Sequence, residues 1–563
     1  MSKGTSQAAT SLEIPLGKRK PLYRFFEMLP AILSFSMLAL PVVLALINPL
    51  YAAIFIIIYI ITYLMRAVAM AGRVLQSYHT MQEAMAIDWQ QRLRDLAAPE
   101  EGLKRYAQET GGTRQRWHQY EHYRNLKRLS TDNVARPLPS DVINVIIIAT
   151  YNESREILEP TIKAIADNDF DSRQTIVVIA YEQRGPQSTQ DTAKALAKEY
   201  GHVFKKTMAI GHPEGLPNEV VGKGGNIVYA ASQFRAWAAE SGIERENIII
   251  TTLDSDNRPH STYFSYIAYE FIVNDRRHNC SYQPIALFLN NIWDVPAPMR
   301  VLATGNSFWN MISSLRPHML RNFAAHSQSL VSLEKTKFWS TRTIVEDGHQ
   351  FWRSYFAFKG DYEVIPIYVP IYQDAVLSDT YRKTLKAQFI QLRRWAYGAS
   401  DIPYVATKLF TKHRTVPFRI GFAKFFRLLD GHVSWGTTPL LLALGAWAPL
   451  VFAPASSQSI VAQELPQLAS LLQTIAILGL FVSIFISMKM LPPRPERYRR
   501  RRTVWMLLQW VIMPVTSLIY GTSAALNSQT RLLFGRYLDK FDVTDKTVIT
   551  QAADGSVKQS SSN

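Results

Sequence analysis

The chain has 563 residues, of which 47% are hydrophobic, 12% aromatic and only 19% charged. Lys and Arg total 62 against 45 Asp and Glu, so the net charge is +17. This composition excludes intrinsic disorder, which requires few hydrophobic and few aromatic residues. The single cysteine, Cys280, excludes an intrachain disulfide framework and a cysteine-based zinc cluster. A basic balance of this size indicates nucleic acid or an anionic membrane surface as a partner.

An uncharged stretch runs from Leu29 to Met65 and is interrupted at Asn48-Pro49. A membrane-spanning helix needs about 20 apolar residues. The stretch therefore predicts a transmembrane hairpin over residues 29–70, with helices at 29–47 and 50–70, after a basic N-terminal segment at residues 1–28. Its apolar length is far greater than that of a signal peptide.

Three more apolar segments follow Asp430, at residues 433–453, 467–489 and 503–525, and the third contains Pro514. Basic residues cluster beside the apolar segments, at 18–24, 66–73 and 494–502. Because such clusters mark the cytoplasmic side, we expect a multi-pass protein of the plasma (inner) membrane with residues 71–430 in the cytoplasm. We therefore expect the basic residues to contact anionic membrane lipids, and we expect no nucleic acid partner.

Residues 71–139 have the composition of a helical cytoplasmic linker, and beyond Pro139 apolar strands alternate with helices. The pattern predicts strands at 142–149, 175–180 and 248–253, and helices at 153–166 and 188–200. We therefore expect an α/β domain over residues 140–400, with a mostly parallel sheet, inserted between transmembrane helices. The loops after Ala149, Ala180 and Leu253 should share one site, because ligands bind beyond the carboxyl ends of parallel strands.

One of three Asp-x-Asp sequences, Asp254-Ser255-Asp256, directly follows a buried strand; the other two overlap in a loop at residues 167–171. Two carboxylates at a strand end form a hard oxygen site for Mg²⁺ or Mn²⁺. A turn or a helix N-cap is the alternative interpretation of the same two residues.

Two adjacent acids, Glu346 and Asp347, precede a segment rich in aromatic residues. An acid in such a position can act as a general base if it lies near a nucleophilic hydroxyl. The alternative is a helix N-terminus that carries first-turn charge.

A third polar motif, Gln391-Leu392-Arg393-Arg394-Trp395, lies on an amphipathic segment just before the second apolar zone. Arg394 offers a forked donor for phosphate, and Trp395 offers a flat stacking face. The alternative is an interfacial helix with an aromatic anchor.

The glycine-rich sequence Gly222-Lys223-Gly224-Gly225-Asn226 fits neither a P-loop nor a dinucleotide-binding fingerprint. The chain also contains no His-Glu-x-x-His sequence and no Gly-x-Ser-x-Gly nucleophile elbow. ATPase and hydrolase interpretations therefore lose their main support.

In chain order these motifs resemble those of the membrane-bound family 2 glycosyltransferases, the group that includes cellulose and hyaluronan synthases. The resemblance covers residues 140–400 and the flanking spans, and it rests on six pieces in the correct order. They are Thr150-Tyr151-Asn152-Glu153, Lys223-Gly224-Gly225-Asn226, Asp254-x-Asp256, Glu346-Asp347, Gln391-x-x-Arg394-Trp395 and Phe541-Asp542-Val543-Thr544-Asp545-Lys546. The last piece is similar to the gating loop of bacterial cellulose synthases. The resemblance implies a GT-A-like fold, a nucleotide-diphosphate sugar, a divalent metal and inversion at the anomeric carbon.

The resemblance also implies roles for single residues. Thr150, Tyr151 and Glu153 would lie along the nucleotide, with Lys223 near its phosphates. Asp254 would contact the donor and, with Asp256, the metal, and Asp347, beside Glu346, would be the base. Gln391, Arg394 and Trp395 would hold the diphosphate and the acceptor, and Thr544 and Lys546 would belong to the loop that covers the nucleotide. The family's second strand usually ends in an Asp pair that reads the base. Here the nearest equivalent is Glu182, so the nucleotide stays open, with a UDP-sugar as the first expectation.

A loop that covers the nucleotide must be cytoplasmic, whereas three full spans after the cytoplasmic domain would place Phe541 outside. We therefore expect residues 503–525 to lie in the interface or to re-enter the membrane, which leaves four true spans. The remaining C-terminal divisions are an interfacial basic segment at 401–432, transmembrane and interfacial helices at 433–525, a segment similar to the gating loop at 526–546 and a disordered tail at 547–563.

The leading hypothesis is an integral-membrane glycosyltransferase that moves a sugar from a nucleotide donor to a glycan or lipid-linked acceptor, for instance in polysaccharide synthesis. One alternative is transfer to a polyprenyl phosphate without polymerisation. The other is a catalytically silent scaffold of a glycan export system, in which export subunits would be partners.

Overall fold

The computed structural model describes residues 12–110, 117–132, 134–453, 459–540, 547–551 and 557–561. Within these ranges an α/β domain lies in the chain between two groups of long apolar helices, which confirms the predicted fold class. Five helical stretches have the length and apolar composition to cross a membrane: Pro21–Ile47, Pro49–Met85, Phe418–Phe452, Ile460–Met490 and Arg501–Leu533.

The two helices of the predicted hairpin are separated at Asn48-Pro49, as the sequence indicates. The Asn48 side chain accepts a hydrogen bond from Leu50 N, and Pro49 begins the second helix, as expected of a proline in a first helical turn. The second helix continues to Met85, well beyond the predicted end at residue 70, because its last turns bury Val74 and Met81 against the α/β domain. The predicted linker is helical, with helices at Trp89–Ala97, Pro99–Thr110 and Trp117–Thr131.

The central sheet has eight strands. They are β1 (Ile143–Thr150), β2 (Thr175–Glu182), β3 (Lys206–His212), β4 (Ile248–Asp254), β5 (Arg258–Pro259), β6 (Cys280–Leu287), β7 (Ser327–Ser329) and β8 (Glu363–Tyr372). Their spatial order is β3-β2-β1-β4-β7-β6-β8-β5. Only the short strands β5 and β7 run antiparallel to their neighbours, so the sheet is mostly parallel, as predicted.

Strands β1, β2 and β4 are mostly apolar because helices cover both faces of the sheet. Along β1, Ile146 and Ile148 belong to one buried cluster, whereas Val145 and Ile147 belong to the cluster on the opposite face. All four side chains are fully buried. The helices of the domain are Arg155–Ala166, Gln187–Glu199, Lys223–Glu240, Tyr263–Val273, Ala297–Ser314, Leu330–Thr336, Glu346–Ala357, Tyr381–Ala396 and Asp401–Leu409.

A long helix begins at Phe418, inside the predicted interfacial segment at 401–432, and continues to Leu444. Pro417 immediately precedes this helix, and Pro439 lies inside it without ending it. A second long helix covers Ile460–Met490.

The third apolar segment is helical but irregular. It has α-helical turns at Arg501–Leu508, Met513–Thr516 and Ser523–Leu533, with a 3-10 stretch and a π-helical stretch between them. Pro514 lies in this irregular part, where a missing backbone N–H interrupts the regular hydrogen-bond ladder. Its length and composition alone would permit a fifth span.

Both ends of this segment contact the α/β domain. At the start, Arg502 Nη2 donates to Trp293 O over 3.0 Å. At the end, Ser528 Oγ donates to Arg393 O over 2.6 Å. Trp510, between them, stacks on Phe308 of the helix Ala297–Ser314, with ring centroids 6.2 Å apart.

The predicted disordered tail needs correction. Residues Thr547–Gln551 and Val557–Ser561 form two short strands, β9 and β10, which pair antiparallel. The sequence of β9 is Thr-Val-Ile-Thr-Gln, and its four β-branched residues favour an extended strand over disorder.

Candidate active site

A cleft of about 190 Å³ lies at the carboxyl ends of β1, β2 and β4. Every predicted site residue within the described ranges lines it: Thr150, Tyr151, Glu153, Glu182, Lys223, Asp254, Asp256, Glu346, Asp347, Gln391, Arg394 and Trp395. Thr544 and Lys546 lie outside the described residues. Segments that are hundreds of residues apart in the chain therefore meet in one place.

The loop after β1 is shaped by Glu153. Its Oε2 atom accepts hydrogen bonds from Thr150 Oγ1 and from Tyr151 N, both over 2.8 Å. The carboxylate is buried and holds the turn. Thr150 and Tyr151 are thereby fixed as one wall of the cleft, and Glu153 supports this wall from behind.

The end of β2 carries a charged cluster that sequence analysis found only in part. Glu182 Oε2 accepts from His212 Nδ1 and from Arg184 Nε, each over 3.0 Å. The other ring nitrogen of His212 lies 3.0 Å from Glu219 Oε2. The Arg184 guanidinium stands over the Tyr151 ring, 5.1 Å from its centroid. His212 ends β3, which pairs in parallel with β2, so this pairing brings it beside Glu182.

Lys223 begins the helix after the glycine-rich sequence, and its Nζ donates to Asp254 Oδ1 over 2.6 Å. Burial lowers the pKa of Lys223, but the negative charges of Asp254, Glu346 and Asp347 outweigh that effect and raise it overall. Gly224 is required by close packing, because a Cβ there would lie 2.4 Å from the carbonyl oxygen of Ser340. The glycine-rich sequence therefore permits a close approach of two loops.

Asn226, in the first turn of the same helix, ties two strands together. Its Nδ2 donates to Ala180 O in β2 over 2.9 Å and, at 3.5 Å, to Thr150 O at the end of β1. Sequence analysis gave Asn226 no separate role, although the motif that contains it was recognised.

Asp256 is buried just beyond β4. Its Oδ2 accepts from Asp374 N over 3.2 Å, and its backbone carbonyl accepts from Asn290 Nδ2 over 2.9 Å. The side chain is therefore anchored by the loop after β8, which lies more than 100 residues further along the chain.

Glu346 and Asp347 form the first turn of the helix Glu346–Ala357. Burial, reinforced by the charge of Asp347, raises the pKa of Glu346 to about 8. Burial also raises the pKa of Asp347, although the nearby positive charges of Lys223 and Arg394 oppose the shift. Gly348 N donates to Asp347 Oδ1 over 2.6 Å. The two adjacent acids therefore hold a proton more readily than exposed carboxyl groups.

The helix Tyr381–Ala396 supplies the far wall of the cleft. Gln391, Arg394 and Trp395 come from its last two turns, and the Trp395 ring lies 5.9 Å from the Phe288 ring. Thr380 caps the start of this helix by accepting from Lys383 N. Arg394 thereby places a positive charge opposite the acidic wall.

The chain returns to the cleft just before residues 541–546. Lys540 forms a parallel β-bridge with Val221, two residues before Lys223. Leu538 N donates to the hydroxyl of Tyr397 over 3.2 Å. Lys540 therefore lies next to the cleft, and residues 541–546, which resemble the gating loop, are outside the described residues.

A divalent metal fits one end of the cleft by charge and donor type. Acidic residues there outnumber basic ones: Asp254, Asp256, Glu346, Asp347 and Asp374 against Lys223 and Arg394. A diphosphate would be repelled by this acidic surplus unless a further cation joined it. Within the described ranges no group of three or more His, Cys, Asp or Glu is arranged to hold a metal. Carboxylates are hard oxygen donors and suit Mg²⁺ or Mn²⁺, and such an ion takes phosphate oxygens and waters as its other ligands.

No family model and no curated protein sequence matches the chain. Solved structures with a similar fold include the mannosyltransferase PcManGT from Pyrobaculum calidifontis in complex with GDP-Man and Mn²⁺. It is 16% identical, with a TM-score of 0.41, over 78% of this chain and 100% of that chain. TarS 1-349 of S. aureus in complex with UDP-GlcNAc is 11% identical, with a TM-score of 0.34, over 74% of this chain and 96% of that chain. GalNAc-T7 with UDP, GalNAc and Mn²⁺ is 9% identical, with a TM-score of 0.30, over 52% of this chain and 58% of that chain.

The first of these is named as a mannosyltransferase, but at such low identities and TM-scores the likeness says nothing about the activity of this chain. The sheet order and the acids beyond β4 in the present structure are those of a GT-A-like α/β domain. This domain is flanked by helices long enough to cross a membrane.

Proposed function

We propose that the protein is an integral-membrane, metal-dependent, inverting glycosyltransferase of the family 2 type. It would move a sugar from a nucleotide-diphosphate sugar to a glycan or lipid-linked acceptor. The observation that carries this proposal is the convergence of five separate motifs on one cleft. Side chains suited to act as a general base, to bind a diphosphate and to hold a hard metal ion line the same space.

In this proposal each wall of the cleft has a task. Thr150 and Tyr151 bind the nucleoside, and Lys223 holds Asp254 in place near the diphosphate. Asp256 and Asp254 would hold Mg²⁺ or Mn²⁺, which when bound neutralises the diphosphate and stabilises it as a leaving group. Arg394 neutralises further charge on the diphosphate as it departs.

Asp347 acts as the base. It removes the proton from the acceptor hydroxyl while the hydroxyl oxygen attacks the anomeric carbon from the side opposite the diphosphate, so the configuration inverts. Its pKa is raised by burial, which brings the carboxylate closer to the range useful for proton transfer. Glu346 beside it shares the negative charge and, with its pKa raised to about 8, can carry a proton near neutral pH.

We also propose that residues 501–533 lie in the membrane interface and leave four spans. Because contacts at Trp293 and Arg393 tie the two ends of the segment to one α/β domain, the ends lie on the same side of the membrane. Its outward residues, such as Trp505 and Val511, are exposed and apolar, which suits contact with lipid. The basic residues around 494–502 then put the catalytic domain on the cytoplasmic face of the inner membrane.

Nucleotide release tests the proposal. Detergent-purified protein is incubated with Mn²⁺ or Mg²⁺ and a panel of UDP- and GDP-sugars, beside Asp256→Ala. The matched control is Asp167→Ala, since Asp167 belongs to an exposed Asp-x-Asp sequence outside the cleft. We expect release from one donor that requires both metal and Asp256 and that is unaffected in the control.

Two results would contradict the proposal. Release that persists in Asp256→Ala at the wild-type rate would remove the metal-dependent mechanism. Failure of the wild-type protein to bind any nucleotide or nucleotide sugar would favour a silent scaffold instead.

A further inference from the structure

The end of the cleft away from the metal-binding acids contains a second set of charges, which the proposed chemistry does not use. His212 lies between two carboxylates, with 3.0 Å from Nδ1 to Glu182 Oε2 and 3.0 Å from Nε2 to Glu219 Oε2. A neutral imidazole has only one N–H, whereas an imidazolium has two. Because carboxylates only accept, both contacts are made together only by the imidazolium.

The surroundings of His212 agree with this charge state. The groups that face it are Glu182 and its partner Arg184 from the end of β2, Glu219 from the loop before the helix Lys223–Glu240, and Tyr229 from that helix. Burial lowers the pKa of His212, but the hydrogen bonds to the two carboxylates outweigh it and raise the pKa to about 9. The site is built for this contact, since a Cβ on Gly225 would lie 2.6 Å from Glu219 Oε2.

The two cations act on the same carboxylate oxygen. His212 and Arg184 both bind Glu182 Oε2, which leaves Oε1 as the acceptor for a ligand in the cleft that Glu182 lines. Beside it, Tyr151 offers an aromatic ring. A carboxylate next to an aromatic ring suits a planar, N–H-bearing ligand.

We propose that His212 is the positioning residue of a nucleobase subsite, in which it fixes Glu182 to accept an imide N–H of the base and is itself held by Glu219. Uracil and guanine carry such an N–H, whereas cytosine and adenine do not. The inference rests on the proposed function, because it assigns the nucleoside end of the same cleft. It adds a positioning role for His212 and a dependence of base binding on the charge of that residue.

Two substitutions separate the contacts of His212. In His212→Asn the amide nitrogen stands near the position of Nδ1 and keeps the bond to Glu182, while in His212→Gln it stands near Nε2 and keeps only the bond to Glu219. Kd is measured for UDP, GDP, CDP and ADP, and for inorganic diphosphate as a probe that has no base. The control is His202→Gln, because His202 is exposed and lies outside the cleft.

We expect the wild-type protein to bind UDP or GDP at least tenfold more tightly than CDP and ADP. His212→Gln should raise the Kd of the preferred nucleotide about tenfold or more, as for the loss of a charge-assisted hydrogen bond. His212→Asn should raise it less, and the Kd of diphosphate should stay constant in both. With the sugar donor, KM should rise while kcat at saturation stays within about threefold.

A pH series and a conservative variant distinguish an effect of the charge of His212 from a general loss of folding. In the wild-type protein, the ratio of nucleotide to diphosphate affinity should fall as the pH rises through about 9, because the imidazolium is then lost. The fall should be smaller in His212→Asn, where only the ionisation of the imide N–H of the base itself remains. Glu219→Gln, which keeps the shape of the loop, should move the fall to lower pH.

An unchanged nucleotide Kd in His212→Gln would overturn the inference while leaving the proposed function intact. Equal losses of nucleotide and diphosphate binding, or a loss of kcat without a change in KM, would also overturn it, because either result would indicate a structural role. If the wild-type protein bound diphosphate but no nucleotide, the proposed function itself would fail.

Discussion

Lys223 Nζ and Asp254 Oδ1 are 2.6 Å apart, and this ion pair joins the glycine-rich loop to the end of β4. The Lys223 side chain is 11% exposed and that of Asp254 is 35% exposed, so the pair lies at the floor of the cleft with the carboxylate toward the opening. Lys223 donates to Asp254 Oδ1, so a metal ion held by Asp254 would lie close to the positive charge of the lysine. The ion pair therefore determines how much of the negative charge of the acidic wall is neutralised by the protein itself.

Loss of the lysine should weaken donor binding. In Lys223→Met the charges of Asp254, Glu346 and Asp347 lose their common cationic neighbour, and repulsion of the diphosphate increases. We expect the donor Kd to rise about tenfold or more, as for the loss of a buried charge-assisted hydrogen bond. Titration with the nucleotide-sugar donor checks this, with Lys198→Met, an exposed lysine, as the control. Unchanged binding would show that the ion pair is only structural.

Asp347→Asn should abolish turnover while leaving the donor bound. The variant keeps the shape of the side chain but cannot accept a proton, so kcat should fall by about 10²–10⁴. Donor Kd should change little, because the acceptor and not the donor is deprotonated. Single-turnover measurements at saturating donor test this expectation, and a parallel rise in donor Kd would argue against a role as base.

The rate should depend on pH through Asp347. Burial raises the pKa of this carboxyl group, and only its ionised form can act as a base. The acid limb of kcat should therefore lie above the ordinary range of an aspartate, with the rate rising as the pH rises through the shifted value. A pH–rate profile of the wild-type protein measures this. An acid limb at the ordinary aspartate value would contradict the assignment.

Glu346→Gln should stabilise the protein at alkaline pH. The pKa of Glu346 rises from 4.5 to about 8 on folding, so between these values the folded state binds more protons than the unfolded state. Stability must then fall as the pH rises through this window. Glutamine removes the ionisation, so we expect the variant to have a higher Tm than the wild-type protein at pH 8. The gain should disappear near pH 4, and equal Tm values at both pH values would refute the explanation.

The interfacial position of residues 501–533 can be tested with single cysteines. Cys280 is fully buried, so it gives little background labelling. Glu496→Cys and Phe534→Cys should react from the cytoplasmic side with a membrane-impermeant maleimide, whereas Asn48→Cys should react from the opposite side. If the two positions reacted from different sides, the segment would be a fifth span.

The α/β core could be predicted from the sequence because its strands are continuous apolar runs. Both faces of β1 are covered by helices, so Val145 to Ile148 carry no alternation that would hide the strand. The carboxyl ends of β1, β2 and β4 then follow from parallel pairing, and with them the placement of Thr150, Glu182 and Asp254 around one cleft.

Contacts between distant polar residues could not be predicted in this way. Glu13 lies in the basic N-terminal segment, for which the sequence predicts no contact with the α/β domain, yet it forms a 2.6 Å ion pair with the buried Arg353. It also accepts a hydrogen bond from Ser340, whose carbonyl oxygen meets Gly224. No periodicity joins residues 13, 340 and 353, and only the packing of the folded chain brings them together.

The sequence by itself determined the apolar helices, the parallel strands and the identity of the acids, since each depends on local patterns of hydrophobicity and charge. The tertiary structure decided which charges are paired. His212 becomes a cation because Glu182 and Glu219 converge on it, and Asp254 is partly neutralised because Lys223 reaches it. Charge state depends on distance and burial, and both are set only when segments far apart in the chain are packed together.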